Sequence, residues 1–411
     1  MKHRVMITGL GTVCPIGNNA STAFQSAVEG VCGIDVATKF DTEKTGITAA
    51  GEVKDFESVL PVSKREAKRL DLFTQFALAA AFEAWNDAGI HDGDLDKNRV
   101  GVVLGSGMGG LETICEQDRL LMSQGPIGVS AIFIPKSIIN IAAGNIAIKL
   151  SLQGPCFAVV SACSSGTDAI GHAYYAIKDG RLDAALAGGS EAVLTDLAVQ
   201  GFHQMQALSE SKDPKRACIP FDEERQGFVM GEGAAFLLLE SEESAKRRNA
   251  KIYGEIVGFG QTCDAYHVTA PMPEGIRAAR AMELAILEAG IDKEQIGYIN
   301  AHGTGTPLND IIETNAIKKC FGEHSKKLLV SSTKSMTAHM LGAAGAVEAL
   351  LTVKALEAGM APPTIGLIKE GEGCDLDYVK GKARPMNTEY ALSNSFGFGG
   401  HNSTLLIRKG E

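Results

Sequence analysis

Residues 157–170 read FAVVSACSSGTDAI, and this stretch predicts the local fold around it. Its first four residues are apolar, as in a short buried strand. Beyond Cys163, apolar residues return at helical spacing, at Ala169, Ala173 and Ile177. The stretch therefore predicts a strand that is followed at once by a helix, with Cys163 at the junction.

The same alternation of strand and helix runs along the whole chain. Short apolar runs predict strands at Arg4–Thr8, Val100–Leu104, Phe157–Ser161, Ala184–Ala187, Ala235–Glu240, Ile252–Phe259, Tyr298–Ala301, Leu328–Ser332, Ala391–Asn394 and Thr404–Arg408. Longer periodic patterns predict helices at Leu72–Ala88, Ser164–Lys178, Gly275–Ala289, Asp310–Cys320 and Leu341–Glu357. Strands that alternate with helices indicate an α/β fold, and unbroken apolar strands indicate sheets covered on both faces.

A charged stretch at Glu240–Lys251 follows a predicted strand and marks the expected join between two halves, residues 1–250 and 251–411. Both halves place short segments rich in Gly, Ser and Thr directly after strands. Ligand sites in α/β folds favour such strand ends. A duplication of the two halves does not follow from periodicity.

Composition excludes several classes of function. The chain has 411 residues, 45% of them hydrophobic, and a net charge of -10, which disfavours nucleic acid as a partner. Its nine cysteines are odd in number and form no C-x-x-C pair, which argues against a disulfide framework and favours a reducing cytoplasm. No signal peptide is expected, and no apolar run is long enough to predict a membrane span.

Cys163 is the candidate nucleophile. The predicted helix begins directly after it, and the partial positive charge of a helix N-terminus lowers the pKa of a cysteine and favours the thiolate. Backbone N–H groups at the same place can hold an oxyanion. The alternative is a buried structural cysteine, because free cysteine is among the most buried residue types.

Two histidines also follow predicted strands. His302 lies in the stretch NAHGTGTPLND, and Lys334 and His339 lie in STKSMTAHML. A histidine beside a helix N-terminus is biased towards the neutral form, which can donate an N–H to developing negative charge. The alternatives are hydrogen-bonded structural histidines, or a zinc site with Cys163, although the spacing matches no short zinc motif.

Two glycine-rich segments have different interpretations. Asn394–Asn402 reads NSFGFGGHN, and its small residues allow a ligand to approach the backbone closely, although an ordinary turn explains it equally well. Gly9 and Gly11 follow a predicted strand as in a dinucleotide fingerprint. Cys14 occupies the position of the third glycine, so that interpretation is weak.

Taken together, the motifs resemble a β-ketoacyl-[acyl-carrier-protein] synthase of type II, the elongating condensing enzyme of the thiolase-like superfamily. The resemblance spans essentially the whole chain. RVMITGLGTVCPIG opens it, SACSSGTDAIG, PFDEERQGFVMGEGA, NAHGTGTPLND and SSTKSMTAHMLGAAGAVEA follow, and SNSFGFGGHNSTLLI closes it.

The resemblance implies a thiolase-like duplicated αβαβα five-layer sandwich, in which the first half carries the nucleophile and the second half carries both histidines. It implies a cytoplasmic homodimer whose partner is acyl carrier protein. No cofactor or metal is expected, because the acyl and malonyl groups arrive on the phosphopantetheine of the carrier. The reaction implied is decarboxylative condensation of an acyl group on Cys163 with a malonyl unit.

The resemblance also assigns roles to individual residues. It implies that Cys163 carries the acyl group, that His302 and His339 hydrogen-bond the enolate oxygen, and that the backbone N–H groups of Cys163 and Phe398 form the oxyanion hole. Lys334, paired with Glu348, is implied to support the second histidine. The positions implied to contact substrate are Thr304, Thr306, Met108, Phe133, Phe202 and Phe398; core packing is the alternative for Phe133 and Phe202.

Some positions depart from the family pattern. Met108 stands where isoleucine is common, which bears on the preferred chain length, and Ala338 replaces the usual glycine beside His339. The basic docking patch for the carrier keeps Lys64, Arg65, Lys68 and Arg69, whereas Ile127, Gly128 and Gln206 stand where some relatives have basic residues.

Rival functions remain at this stage. A polyketide-type ketosynthase has the same catalytic residues and is the first alternative. A thiolase would carry a second cysteine where this chain has His401, and an initiating synthase would carry asparagine in place of His339. A cysteine hydrolase would release free acid without a malonyl substrate, and a non-catalytic binding subunit would never be acylated.

Overall fold

The computed structural model describes residues 2–410. The strands are β1 Val5–Val13, β2 Ile34–Val36, β3 Ala49–Gly51, β4 Val100–Gly105, β5 Cys156–Val159, β6 Ala184–Glu191, β7 Gly233–Ser241, β8 Gly254–Cys263, β9 Ile296–Asn300, β10 Leu329–Ser331, β11 Met360–Ala361, β12 Arg384–Pro385, β13 Tyr390–Gly397 and β14 His401–Lys409. The helices are α1 Ala20–Glu29, α2 Thr42–Thr45, α3 Lys64–Ala67, α4 Leu72–Asp87, α5 Leu111–Gln124, α6 Phe133–Ser137, α7 Asn140–Leu150, α8 Ser165–Lys178, α9 Asp196–Gln204, α10 Glu242–Arg247, α11 Ile276–Ala289, α12 Pro307–Phe321, α13 Lys334–Thr337 and α14 Ala344–Ala358.

The two halves of the chain build five-stranded sheets of the same topology, and these join edge to edge in a continuous run of ten strands. The first half gives the strand order β5-β4-β6-β7-β1, and the second gives β10-β9-β13-β14-β8. Numbered within each half, both orders are third, second, fourth, fifth and first. This shared topology is the duplication that periodicity alone does not reveal, and the two sheets meet where β1 pairs with β8 at Val5–Ile256, Met6–Glu255 and Ile7–Gly254.

Helices form three layers around the two sheets. α4 packs on β1, β6 and β7 at one outer face, and α11 packs on β8 and β14 at the other. Between the sheets, α8 contacts β4 and β6, α14 contacts β7 and β13, and the two helices contact each other. The predicted thiolase-like five-layer sandwich is therefore confirmed, with α8 and α14 as its buried central layer.

The central helices explain why the sequence signals there were strong. Every residue of α14 except Ala358, and every residue of α8 except His172 and Tyr175, is buried or partly buried, so both helices give apolar sequence patterns. Within residues 2–410, no helix is long and apolar enough to cross a membrane.

Gly9 and Gly11 let helix α4 lie directly on strand β1. A Cβ added at Gly9 would stand 2.1 Å from the carbonyl oxygen of Ala84, and one at Gly11 would stand 2.1 Å from that of Ala80. Both positions must therefore lack a side chain. The G-x-G spacing that suggests a dinucleotide motif serves helix-to-sheet packing instead.

We expect Gly11→Ala to lower the free energy of unfolding by about 3 kcal/mol, because the new methyl group cannot fit beneath α4. Gly201→Ala is the matched control, since Gly201 lies in α9 with open space around its Cα. That change should leave stability equal or raise it by about 0.5–1 kcal/mol. Thermal unfolding followed by circular dichroism measures both, and a Gly11→Ala variant that melts like the parent contradicts the packing account.

Candidate active site

Cys163 stands in a tight turn between β5 and α8. The turn spans Ala162–Ser164, and the φ of Ala162 is +51°, a left-handed conformation that is uncommon for a residue with a side chain. Cys163 is only 8% exposed and lines a cavity of about 360 Å³. The nucleophile candidate is therefore neither sealed in the core nor open to bulk water.

Burial raises the pKa of the Cys163 thiol to about 12, which corrects the expectation of a lowered pKa. The Lys334 ammonium and the nearby backbone N–H of Phe398 both lower the pKa, but they do not outweigh desolvation. The carboxylates of Glu191 and Glu348 raise it further. In the free protein the sulfur is held as a thiol, although the helix N-terminus lies beside it.

His302 and His339 meet at the same cavity. Their ring centroids are 5.4 Å apart and the rings are nearly perpendicular, at 85°. Burial lowers the pKa of both imidazoles well below the usual value, and the nearby Lys334 ammonium lowers both further. Both histidines are therefore neutral at neutral pH, as the sequence predicted for a histidine near a helix start.

Lys334 is fully buried and pairs with Glu348, whose side chain is also buried. Its Nζ lies 3.4 Å from Nδ1 of His302. The direct contact of the ammonium is with the first histidine. The implied role of Lys334 in supporting the second histidine stays a prediction. Burial raises the pKa of Glu348 to about 7, although the Lys334 charge opposes that shift.

Glu313 holds the loop that carries His302, and the sequence analysis missed it. Its carboxylate accepts the backbone N–H groups of His302 and Gly303, each at 2.8 Å, and the side-chain amide of Asn394 at 3.3 Å. Burial raises the pKa of Glu313 to about 7. An acidic residue on the inner face of the helix after the His302 loop is the signal that could have revealed it.

His339 is fixed through its backbone. Its N–H donates to the carbonyl of Val229 at 2.8 Å, and its own carbonyl accepts from Gly231 at 2.9 Å. The preceding Ala338 has φ +59° and ψ −176°, a conformation that favours glycine, so the departure from the family pattern places a methyl group on a strained backbone.

The cavity contains only some of the predicted substrate contacts. Thr304, Thr306, Phe202 and Phe398 line it together with Cys163 and both histidines. Met108 does not line it, but packs against the apolar cluster that contains Cys163 and borders a second opening together with Phe157. Phe133 lies in α6, half-buried and away from this cavity.

The roles that the sequence analysis gave to these residues remain predictions.

Within the described part of the chain, no group of three or more histidine, cysteine or acidic side chains is arranged to hold a metal ion.

Comparison with known proteins gives consistent similarities. The family model for the beta-ketoacyl synthase N-terminal domain matches residues 2–245, and that for the C-terminal domain matches residues 253–367. A 3-oxoacyl-[acyl-carrier-protein] synthase 2 of Staphylococcus aureus is 48% identical over 408 residues, which cover 99% of each chain.

Solved structures agree with the sequence comparisons. A beta-ketoacyl synthase from Burkholderia phymatum is similar over 100% of both chains, with a TM-score of 0.92 and 34% identity. A ketosynthase bound to a hexaketide, solved with its type II polyketide acyl-carrier protein, is similar over 100% of both chains, with a TM-score of 0.91 and 33% identity.

The raised thiol pKa predicts how Cys163 reacts with iodoacetamide. The rate should keep rising from about pH 7 to about pH 10, because only the thiolate reacts and burial holds the thiol protonated. Peptide mapping by mass spectrometry measures the rate at each cysteine, with the exposed Cys156 and Cys263 as internal references. A rate at Cys163 that reaches a plateau below about pH 8 contradicts the assignment.

Proposed function

The chain belongs to the beta-ketoacyl synthase family, and we propose on that premise that it extends fatty acids by decarboxylative condensation. An acyl thioester on Cys163 reacts with malonyl-acyl-carrier-protein to give 3-oxoacyl-acyl-carrier-protein, carbon dioxide and free carrier protein. The observation that carries the proposal is one cavity in which a single thiol faces two neutral imidazoles.

Acyl transfer to Cys163 is the first step. The sulfur attacks the thioester carbonyl of the acyl carrier, a new C–S bond forms, and the old C–S bond breaks. The thiol proton ends on the departing pantetheine sulfur. The Lys334 charge and the start of α8 stabilise negative charge on the cysteine sulfur as the proton leaves, which offsets part of the cost of burial.

On this proposal, two backbone N–H groups stabilise the tetrahedral oxyanion. The Phe398 N–H lies close enough to the Cys163 sulfur to lower its pKa, so an oxygen on the attacked carbon would come within its reach. The loop comes close enough that a Cβ on Gly397 would lie 3.1 Å from the Cys163 nitrogen. The N–H groups of Cys163 and Phe398 therefore serve together as the oxyanion hole.

Decarboxylation of the malonyl group needs donors aimed at the new enolate oxygen. The Lys334 ammonium can only donate, so its contact with Nδ1 of His302 makes that nitrogen the acceptor and leaves the proton on Nε2. His302 and His339, both neutral, donate to the thioester oxygen while the C–C bond to the carboxylate breaks. Carbon dioxide leaves, the enolate carbon attacks the acyl carbonyl, and the C–S bond to Cys163 breaks. The thiolate that is released takes up a proton from water, which regenerates the thiol.

The substrates arrive on a carrier protein, so the reaction needs no bound cofactor on this proposal. Thr304 and Thr306 line the cavity with hydroxyl groups 3.0 Å apart, where they can hold the pantetheine arm. Lys64, Arg65, Lys68 and Arg69 are exposed around α3 and suit an acidic carrier. Ile127, 93% exposed, adds an apolar contact where some relatives have a basic residue.

A polyketide ketosynthase remains the alternative activity, because the similar hexaketide-bound enzyme has the same fold. The higher identity to the fatty-acid relative, 48% against 33%, favours elongation of fatty acids.

The cytoplasm suits the reaction and the nine cysteines, all of which are free thiols.

The protein works as a homodimer on this proposal, through the edge of the N-terminal sheet. β5 is the last strand of that sheet, and an apolar surface is exposed at Phe157 on it and at Val160 directly after it, to which Ile134 and Ile138 add. An exposed apolar edge strand invites pairing with another chain. A second copy offers the same strand, so a twofold pairing covers both edges with one symmetric contact.

Each catalytic role predicts a different defect. Incubation with a carrier protein that bears a fatty-acyl thioester, and with no malonyl donor, should give a stable acyl adduct on Cys163, seen by intact mass. Addition of malonyl-acyl-carrier-protein should then convert the adduct to a 3-oxoacyl product. Cys163→Ala should form no adduct, because no thiol remains in the cavity. His302→Ala and His339→Ala should still form it but condense about 100-fold more slowly.

The same assay distinguishes the rivals. Rapid release of free fatty acid without a malonyl donor would indicate a cysteine hydrolase, and no adduct at all would indicate a binding subunit. Histidine variants that condense at the normal rate would overturn the roles given to the imidazoles.

The dimer edge predicts a change in mass in solution. Phe157→Arg combined with Val160→Glu should give a monomer, because charges cannot be buried in an apolar strand pair. Leu287→Arg, at an exposed apolar position of α11, is the matched control and should leave the dimer intact. Light scattering after gel filtration measures both, and a dimeric edge variant would contradict the assignment.

A further inference from the structure

Glu191 ends strand β6 with a fully buried carboxylate that accepts four hydrogen bonds. Oε1 accepts from the Ser106 hydroxyl at 3.0 Å and from the Met108 N–H at 3.1 Å. Oε2 accepts from the Gly107 N–H at 2.6 Å and from the Gly342 N–H at 3.0 Å. Four hydrogen bonds to an ionised group hold this carboxylate, and the segments that donate them, in one position.

The donors come from two segments that are far apart in the chain. Ser106–Met108 follows β4 and carries Met108 into the apolar cluster around Cys163. Gly342 lies in the turn Leu341–Ala343, three residues after His339. One carboxylate therefore ties the loop behind the nucleophile to the turn that follows the second histidine.

The packing around Glu191 leaves no room for a side chain on either segment. A Cβ on Gly107 would lie 2.9 Å from Oε2 of Glu191. A Cβ on Gly342 would lie 2.7 Å from the same oxygen and 2.4 Å from the Gly107 nitrogen. The two glycines therefore face the same carboxylate oxygen, which anchors both segments.

We propose that Glu191 is a positioning residue that holds the Met108 loop and the His339 turn in one fixed arrangement, so that the depth of the acyl pocket is coupled to the condensation site. The inference rests on the proposed function, because it assigns the Met108 side of the site to the acyl chain. Glu191 itself touches no substrate.

The two carboxylate oxygens predict that Glu191→Gln and Glu191→Ala differ. In Glu191→Gln, an NH₂ at the Oε2 position would face two backbone N–H groups, so the amide should point its NH₂ towards Ser106, whose hydroxyl can accept a hydrogen bond. Only the Met108 N–H then loses its acceptor. In Glu191→Ala, both segments lose their anchor and a cavity remains.

The test compares chain-length profiles with malonyl-carrier decarboxylation. Glu191→Gln should shift the ratio of condensation rates between short and long acyl carriers by about threefold or more, with decarboxylation within about twofold of the parent. Glu191→Ala should also lower decarboxylation by about tenfold. Glu240→Gln is the matched control, a buried carboxylate on β7 that bonds Arg248 and Thr8 instead, and its profile should not change.

Hydrogen exchange read by mass spectrometry tests the positioning without relying on activity. Glu191→Gln should speed exchange in residues 106–110 but leave residues 340–345 unchanged, and this holds whether or not the parent condenses. If Glu191→Gln keeps both the parent exchange and the parent chain-length profile, the inference is wrong. If the exchange changes as stated but the parent protein is never acylated, the proposed function fails and the profile claim fails with it.

Discussion

The close approach of helices α8 and α14 at their N-termini is the contact on which the site depends. A Cβ on Gly166 would stand 2.9 Å from the carbonyl oxygen of Gly342, and one on Gly345 would stand 2.0 Å from the Thr167 hydroxyl oxygen. Small residues here let the two helix starts meet. Because Cys163 precedes α8 and His339 precedes α14, this contact brings the thiol and an imidazole to one cavity.

Burial then sets the chemistry of the site. One ammonium, Lys334, lies among carboxylates in a region nearly without solvent, so desolvation controls the protonation of its neighbours. The thiol stays protonated, the imidazoles stay neutral, and negative charge develops only when a substrate carbonyl or carboxylate enters. The donors of such a site make few strong interactions before the substrate reacts, so they stabilise the transition state more than the ground state. This suits a reaction whose negative charge builds up on the substrate oxygen.

Much of the fold was predictable because its signals are local. Each of the ten predicted strands coincides with a strand of the two main sheets, and the five predicted helices coincide with α4, α8, α11, α12 and α14. These elements are buried on most sides, so their apolar patterns are long and clear. The short antiparallel pair β2–β3 and the half-exposed helices α5 and α7 have weaker sequence patterns, and the sequence analysis did not predict them.

The candidate site was predictable where its residues sit in motifs, and less so where distant contacts decide. Cys163, His302 and His339 each follow a strand, so sequence placed them at one end of the fold. Glu313 bonds a loop only 10 and 11 residues before it, so its acidic side chain on the inner face of α12 was a usable signal, whereas the bond from Gly342 to Glu191 joins segments 151 residues apart and no local pattern marks it. The predicted lowering of the Cys163 pKa was wrong because a helix N-terminus can be recognised in the sequence, whereas the burial that outweighs its effect cannot.

The central claim is that the fold brings one sulfur, two backbone donors and two imidazoles to a common space, with the packed starts of α8 and α14 placing Cys163 and His339 there. A crystal structure of the protein with an acyl group on Cys163 tests it most directly. The acyl carbonyl oxygen should accept from the N–H groups of Cys163 and Phe398 at about 2.7–3.1 Å, with His302 and His339 both facing open space beside the acyl carbon. An acyl oxygen turned away from Phe398, or imidazoles that face elsewhere, would contradict the account.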